Sequence, residues 1–168
     1  ADIVVILSQL RTWRVDILGA SNLHDDVPWI GRLGDMYGVI WLHRGRPDKR
    51  ALRAALDGLA EGRVIIIAPE GRYSLTGALE EGTGGAAFLA YKAGAPVIPI
   101  AITGTENELV YGNLKKLKRA PVKITVGNML RLNDQIPDKK DAVPEGTRLI
   151  MQALAELLPP KYRGAYSS

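Results

Sequence analysis

Cysteine is absent from this 168-residue chain, which excludes disulfides, thiolate metal sites and a cysteine nucleophile. The absence fits a reducing compartment without establishing one. Aromatic residues make up 6%, with a single Phe, so little is available to interleave with basic side chains as on a nucleic-acid surface. No apolar run approaches the ~18 residues that a membrane span needs, and no secretory leader is visible. There is no Gly-Lys-Ser/Thr phosphate loop and no Gly-Xaa-Ser-Xaa-Gly elbow, which argues against a P-loop protein and an α/β hydrolase. No internal repeat or low-complexity stretch divides the chain, so residues 1–168 are expected to form a single domain. Residue 1 is Ala rather than Met, and the natural start is expected upstream.

What is present is ordinary globular composition, 46% hydrophobic and 24% charged, with a net charge of +4. The charge is uneven. Lys115, Lys116, Lys118, Arg119 and Lys123 fall within nine residues that hold no acid. Such a run is either a solvated turn or a surface for an anionic partner, such as a lipid headgroup layer or an acidic carrier protein. Nucleic acid is the least favoured partner.

Strands and helices alternate. Val15–Leu18, Val39–Leu42 and the β-branched run Val64–Ala68 predict strands. Asp48 is placed to cap a helix running to about Glu61, with Leu52, Ala55, Leu56 and Leu59 as its apolar stripe and Gly62 as its stop. A second helix is expected from about Gly84 to Lys92, closed by Gly94 and Pro96. Pro96–Ile102 reads as a strand whose prolines demand an edge or a strand start. Val122–Val126 alternates and should be half exposed. A last helix is expected from about Pro144, with Ile150, Leu154, Leu157 and Leu158 inward, ended by Pro159-Pro160. The chain beyond is expected to fray. This order predicts an α/β or α+β layer, of which α/β is preferred, with a mostly parallel mixed sheet flanked by helices.

Two strand ends carry chemistry. Ala68-Pro69-Glu70-Gly71-Arg72-Tyr73-Ser74 follows the clearest strand, and ligands of open α/β sheets bind beyond the carboxyl ends of strands. Gly71 permits a sharp turn, and Arg72 is suited to clamp a phosphate bidentately. The stretch Trp41-Leu42-His43-Arg44-Gly45-Arg46 sets two arginines past another strand. Taken singly, each of these charges is more often solvated, and a lone Glu-Gly-Arg is more often an ordinary turn.

Together the blocks resemble the glycerolipid phosphate (lysophospholipid) acyltransferase family. Pro69-Glu70-Gly71-Arg72-Tyr73-Ser74 is similar to the family's Pro-Glu-Gly-Thr-Arg-Ser block. Gly38-Val39-Ile40-Trp41-Leu42-His43-Arg44-Gly45 is similar to its arginine block. Gly82 to Ala87 and then Ala95-Pro96-Val97-Ile98-Pro99-Ile100 follow in family order. Three departures stand out: Arg72-Tyr73 replaces Thr-Arg, Ala68 replaces the aromatic before the proline, and Glu80-Glu81-Gly82-Thr83 is acidic where the family is often basic. The family's first block is His-Xaa-Xaa-Xaa-Xaa-Asp. Asp2 resembles its aspartate, which would set the histidine before residue 1.

The resemblance implies transfer of a fatty acyl group from an acyl-carrier protein or coenzyme A thioester to the free hydroxyl of a lysophospholipid, most simply lysophosphatidic acid. It implies no bound cofactor and no metal. Asp2 would orient the base, Arg44 and Arg72 would hold the phosphate, and Glu70 and Gly71 would shape that pocket. Pro96, Ile98 and Pro99 would form an apolar wall. The expected location is the cytoplasmic face of a membrane, with the basic run as one contact. The other reading is a non-catalytic lipid- or phosphate-binding domain of the same fold. His43 and Asp48 share the His-Xaa-Xaa-Xaa-Xaa-Asp spacing, but Asp48 reads better as a cap. His24, Asp25 and Asp26 lack further spaced ligands and read as a polar loop. Trp13, Trp29 and Trp41 read as core or interface residues.

Overall fold

The computed structural model describes residues 14–20, 28–36, 38–42, 48–71, 74, 76–105 and 122–167. Three strands form a parallel sheet in the order β2-β1-β3: β1 Val15–Ala20, β2 Ile40–Leu42 and β3 Val64–Ile66. β1 is central and staggered between its neighbours. Its second half pairs with β2 (Leu18 with Ile40, Ala20 with Leu42), its first half with β3 (Val15 with Val64, Ile17 with Ile66). Parallel neighbours need a crossover. α1 (Pro28–Met36) lies between β1 and β2, and α2 (Lys49–Ala60) between β2 and β3.

The sequence gives little warning of α1, because Gly31 and Gly34 weaken its helical pattern. The tertiary reason for Gly34 is Trp41. A Cβ on Gly34 would overlap the Trp41 ring, and one on Gly19 would come within 2.9 Å of it. The indole thus lies over two glycines and donates to Asp35 Oδ1 at 2.7 Å, which makes Trp41 a packing residue, as expected.

α2 begins as predicted, with Asp48 Oδ1 accepting from the Ala51 amide at 3.1 Å. Its deepest face is Ala51, Ala55 and Gly58, and the leucines flank it. The small residues let the helix sit close to β1. α3 (Gly85–Ala93) is the central helix, with Ala86, Ala87, Leu89 and Ala90 all buried, and it ends at Gly94 in the left-handed region (φ 63°). It packs on α2 and on α5 (Ala142–Leu157). The short α4 (Leu132–Gln135) adds Leu132 and neighbouring Ile136 to a core shared with Ala86, Ala87, Ala90 and Ile150. Gly146 makes the close approach possible, since a Cβ there would lie 3.0–3.1 Å from Leu132 and Ala87. α5 starts two residues before the expected Pro144, which therefore falls in the first turn, where its missing N–H costs no hydrogen bond.

β4 (Ile100–Thr103) and β5 (Lys123–Val126) form an antiparallel ribbon. The strand expected over Pro96–Ile102 is therefore shorter at its start. Val97 makes an isolated bridge with Leu130, and the prolines on either side lack the N–H that a continuous ladder needs. One ribbon face pairs Ile100 with Val126 and Ile102 with Ile124, while Ala101 on the other is buried. Ile98, Val122, Ile124, Val126 and Met129 remain exposed.

The expectation of a frayed end is overturned. Pro160–Tyr162 and Gly164–Tyr166 form two 3-10 turns. The Leu79 amide donates to Tyr162 O at 2.9 Å, and the Ala165 amide donates back to Leu79 O at 3.1 Å. Leu79, Met151 and Ala155 form a third apolar cluster, with Tyr166 packed against it. Pro159-Pro160 ends the helix without releasing the chain.

Candidate active site

β2 and β3 both run parallel to β1, so their carboxyl ends point to one edge of the sheet. At that edge the chain leaves β3 and turns. The Gly71 amide donates to Ala68 O at 3.1 Å, and Gly71 has φ 68°, a region that costs other residues about 1–2 kcal/mol. A Cβ on Gly71 would also meet Thr83 at 3.3 Å. The left-handed conformation therefore favours glycine, and a Cβ would make the Thr83 methyl give way slightly.

A second segment holds this turn in place. Thr83 donates twice to the Pro69 carbonyl, from its amide at 2.7 Å and from its hydroxyl at 2.9 Å. The Glu80 amide donates to Glu70 Oε2 at 3.2 Å. Ser74 Oγ donates to Ala78 O at 2.6 Å and closes the intervening loop. The half-buried Glu70 is thus held by backbone from the 79–83 segment. That segment is anchored in turn. Gly82 packs so closely on α5 that a Cβ would come 2.6 Å from Met151 Cγ. Its amide donates to the Tyr166 hydroxyl at 3.3 Å.

The other end of the sheet is closed. Asp16, 7% exposed at the start of β1, pairs with Arg63 just before β3, with Nη1 at 2.9 Å from Oδ2 and 3.1 Å from Oδ1. Gly58 of α2 lies against the same carboxylate; its Cβ would come 2.7 Å from Oδ2. The sequence places Asp16 in a strand but carries no local signal for this pair, whose members are 47 residues apart.

Of the predicted site residues, Glu70 and Gly71 sit together at the open edge. Asp2, Arg44 and Arg72 lie outside the described residues, as do His43, Arg46, His24, Asp25, Asp26 and the basic run 115–119. The proposed wall divides: Pro96 and Ile98 are exposed, whereas Pro99 is buried beside Gly127, whose amide donates to Pro99 O at 2.9 Å. Among the described residues no three His, Asp or Glu side chains gather as metal ligands. No helix among them is long and apolar enough to cross a membrane. Two open hollows flank the 76–82 segment. One, of about 300 Å³, is lined by Glu81, Gly82, Thr147, Arg148 and Tyr166 among others. The other, of about 630 Å³, is lined by Leu79, Glu80, Gly164 and Ala165 among others. Neither is lined by Glu70 or Gly71.

Comparison with known proteins adds four findings. The family model described as Acyltransferase matches residues 1–103. The chain is 31% identical over 141 residues to a 1-acyl-sn-glycerol-3-phosphate acyltransferase of Chlamydomonas reinhardtii, a match covering 83% of this chain and 40% of that protein. It is 31% identical to the chloroplastic LPAT1 1-acyl-sn-glycerol-3-phosphate acyltransferase of Arabidopsis thaliana, over 57% of this chain and 30% of that one. The chain thus spans less than half the length of these curated relatives. In fold it is similar to the crystal structure of the 1-acyl-sn-glycerophosphate (LPA) acyltransferase PlsC from Thermotoga maritima, with a TM-score of 0.56 and 20% identity, covering 85% of this chain and 56% of that one.

Proposed function

Since the chain belongs to the acyltransferase family, we propose that it carries the catalytic domain of an enzyme that transfers a fatty acyl group from a thioester to the free hydroxyl of lysophosphatidic acid, giving phosphatidic acid. The observation that carries this reading is the Pro69-Glu70-Gly71 turn, held by Thr83 and Glu80 at the carboxyl edge of the parallel sheet. The relatives named for the same acceptor class support it.

In this reading the acceptor oxygen attacks the thioester carbonyl carbon. A base oriented by Asp2 takes the hydroxyl proton, which makes the oxygen a competent nucleophile near neutral pH. The C–S bond breaks, the ester forms, and the thiol leaves with the proton. Arg44 and Arg72 neutralise the acceptor phosphate, and charge-assisted bonds to it would be worth about 1.5–3 kcal/mol each. Glu70 and Gly71 set the shape of that pocket. The donor is a coenzyme A or acyl-carrier protein thioester, and no bound cofactor is needed. The exposed apolar residues Ile98, Val122, Ile124, Val126 and Met129 support contact with lipid. The run Lys115, Lys116, Lys118 and Arg119 suits an anionic leaflet, at about 1 kcal/mol per charge near the surface. The cytoplasmic face of a membrane is the proposed location.

The test is acyl transfer by the full-length protein on vesicles, with lysophosphatidic acid and other lysolipids as acceptors and both thioesters as donors. Faster transfer to lysophosphatidic acid, and more protein sedimenting with anionic than with neutral vesicles, is the expected result. Saturable binding of lysophosphatidic acid with no transfer would favour a non-catalytic domain. Equal use of acceptors that lack phosphate would remove the arginine clamp.

A further inference from the structure

The segment expected to fray makes its contacts with the segment that fixes the candidate site. Leu79 is gripped from both sides of its peptide, by Tyr162 O and by the Ala165 amide. Gly164 has φ 51°, and a Cβ there would overlap the Leu79 carbonyl oxygen. Three residues after Leu79, the Gly82 amide donates to the Tyr166 hydroxyl, while the Tyr166 ring packs with Leu79, Met151 and Ala155. The next amide, that of Thr83, donates to Pro69, and the amide of Glu80, between the two anchors, donates to Glu70. The 79–83 segment therefore bridges two clamps, one on the Pro69–Gly71 turn and one on residues 162–166.

We propose that residues 162–166 are a positioning element for the acceptor pocket, with Tyr166 as its chief side chain, acting through Gly82 and Thr83 on Pro69, Glu70 and Gly71. The proposal rests on the acyl-transfer reading for its kinetic consequence but not for its geometry. Three features separate it from ordinary stabilisation. The tyrosine oxygen meets a backbone amide adjacent to the one that grips Pro69. The Glu80 amide that holds the Glu70 carboxylate belongs to the residue immediately after the doubly gripped Leu79. A movement of residues 162–165 thus reaches Glu70 and the Pro69 carbonyl along the backbone of residues 79–83, and the Tyr166 side chain adds a second contact at Gly82. The ring of Tyr166 keeps its apolar partners when the hydroxyl is removed, so Tyr166→Phe isolates the positioning bond.

The test compares wild type, Tyr166→Phe and Gly164→Ala in the full-length protein, with kinetics measured separately for lysophosphatidic acid and for the thioester donor, beside thermal midpoints and amide exchange. The hydrogen bond lost in Tyr166→Phe should lower kcat/KM for the acceptor about three- to tenfold, leave the donor's KM unchanged, and speed exchange at the Thr83 and Gly71 amides. Gly164→Ala, which must push the segment off Leu79, should do the same more strongly. A lower midpoint with wild-type acceptor kinetics in both variants would overturn the proposal and leave the segment a stabilising role alone. An equal loss for donor and acceptor would overturn it too. If the wild-type protein transfers no acyl group, the reading of the reaction fails, and exchange then decides: unchanged rates at Thr83 and Gly71 in both variants would show that the segment does not hold the turn.

Discussion

Asp16 enters the parallel sheet at the start of β1, Glu70 follows its exit from β3, and the two carboxylates are held by different kinds of partner. Asp16 faces the Arg63 guanidinium, from the residue just before the neighbouring strand β3, with Gly58 closing over it. Glu70 accepts a backbone amide from a loop ten residues on, and that loop depends on residues 162–166. The first arrangement is charged on both sides, joins residues 47 apart and closes one end of the sheet. The second pairs a carboxylate with backbone only ten residues on, at the edge where ligands of such sheets bind. Similar side chains at opposite ends of one strand pair are thus held by different partners, and if Glu70 serves the proposed acceptor pocket, substitutions should sort between stability and activity.

The sharpest break of that comparison is at Asp16. Removing one member of a buried ion pair costs about 3–5 kcal/mol, and because the Arg63 side chain keeps 26% of its exposure and also pairs with Glu61 at 3.4 Å, a smaller loss of about 2–3 kcal/mol is expected here. Asp16→Ala should lower stability by that amount in urea unfolding. Asp16→Leu with Arg63→Met should recover much of it, because two apolar groups need no pairing. A loss below about 0.5 kcal/mol would mean that the closed end is not sealed by charge.

Glu70 should behave in the opposite way. Glu70→Ala removes both the charge and the acceptor for the Glu80 amide, and should lower acceptor kcat/KM by about ten- to 150-fold while costing about 1 kcal/mol or less in stability. Glu70→Gln keeps an oxygen for that amide and should cost less than the alanine variant. If the glutamine variant is as impaired as alanine, the charge matters and the loop contact does not. If Glu70→Ala unfolds the protein as readily as Asp16→Ala, the division between the two ends fails.

These outcomes bear on what a sequence displays. The β-branched run at Val64, the cap at Asp48 and the stop at Gly94 are local signals, and each corresponds to an element in the structure. The Pro69-Glu70-Gly71 turn was legible for the same reason, since a strand, a proline and a glycine stand in series. α1 was hidden because Gly34 is set by Trp41 across space rather than by helical preference. The Asp16–Arg63 pair and the Tyr166–Gly82 bond join residues 47 and 84 apart, and no periodicity encodes such partners. Pro159-Pro160 correctly marked the end of a helix and said nothing of where the chain goes next.

The smallest expected effect lies on the outer face of α5 and serves as a baseline for the charged pairs. Glu145 and Arg148, one turn apart, form a two-pronged ion pair. The hydrogen bonds from Arg148 hold the Glu145 carboxyl below its usual 4.5, and those same bonds raise Arg148. A carboxylate whose folded pKa is depressed contributes stability that is fully present above its unfolded value and is lost as pH falls through the folded one. Any contribution should therefore be constant from pH 5 upward and vanish on acidification below about 4. Both groups are solvent-exposed, so water and salt screen the attraction. Glu145→Gln should shift the thermal midpoint at pH 7 by at most about 1–2 °C, and 1 M salt should shrink even that. The difference between variant and wild type should close as the pH drops towards 3. A midpoint shift at pH 7 as large as that of Asp16→Ala would mean that charge pairing stabilises this fold wherever it occurs, and the contrast between its sealed end and the rest of its surface would go.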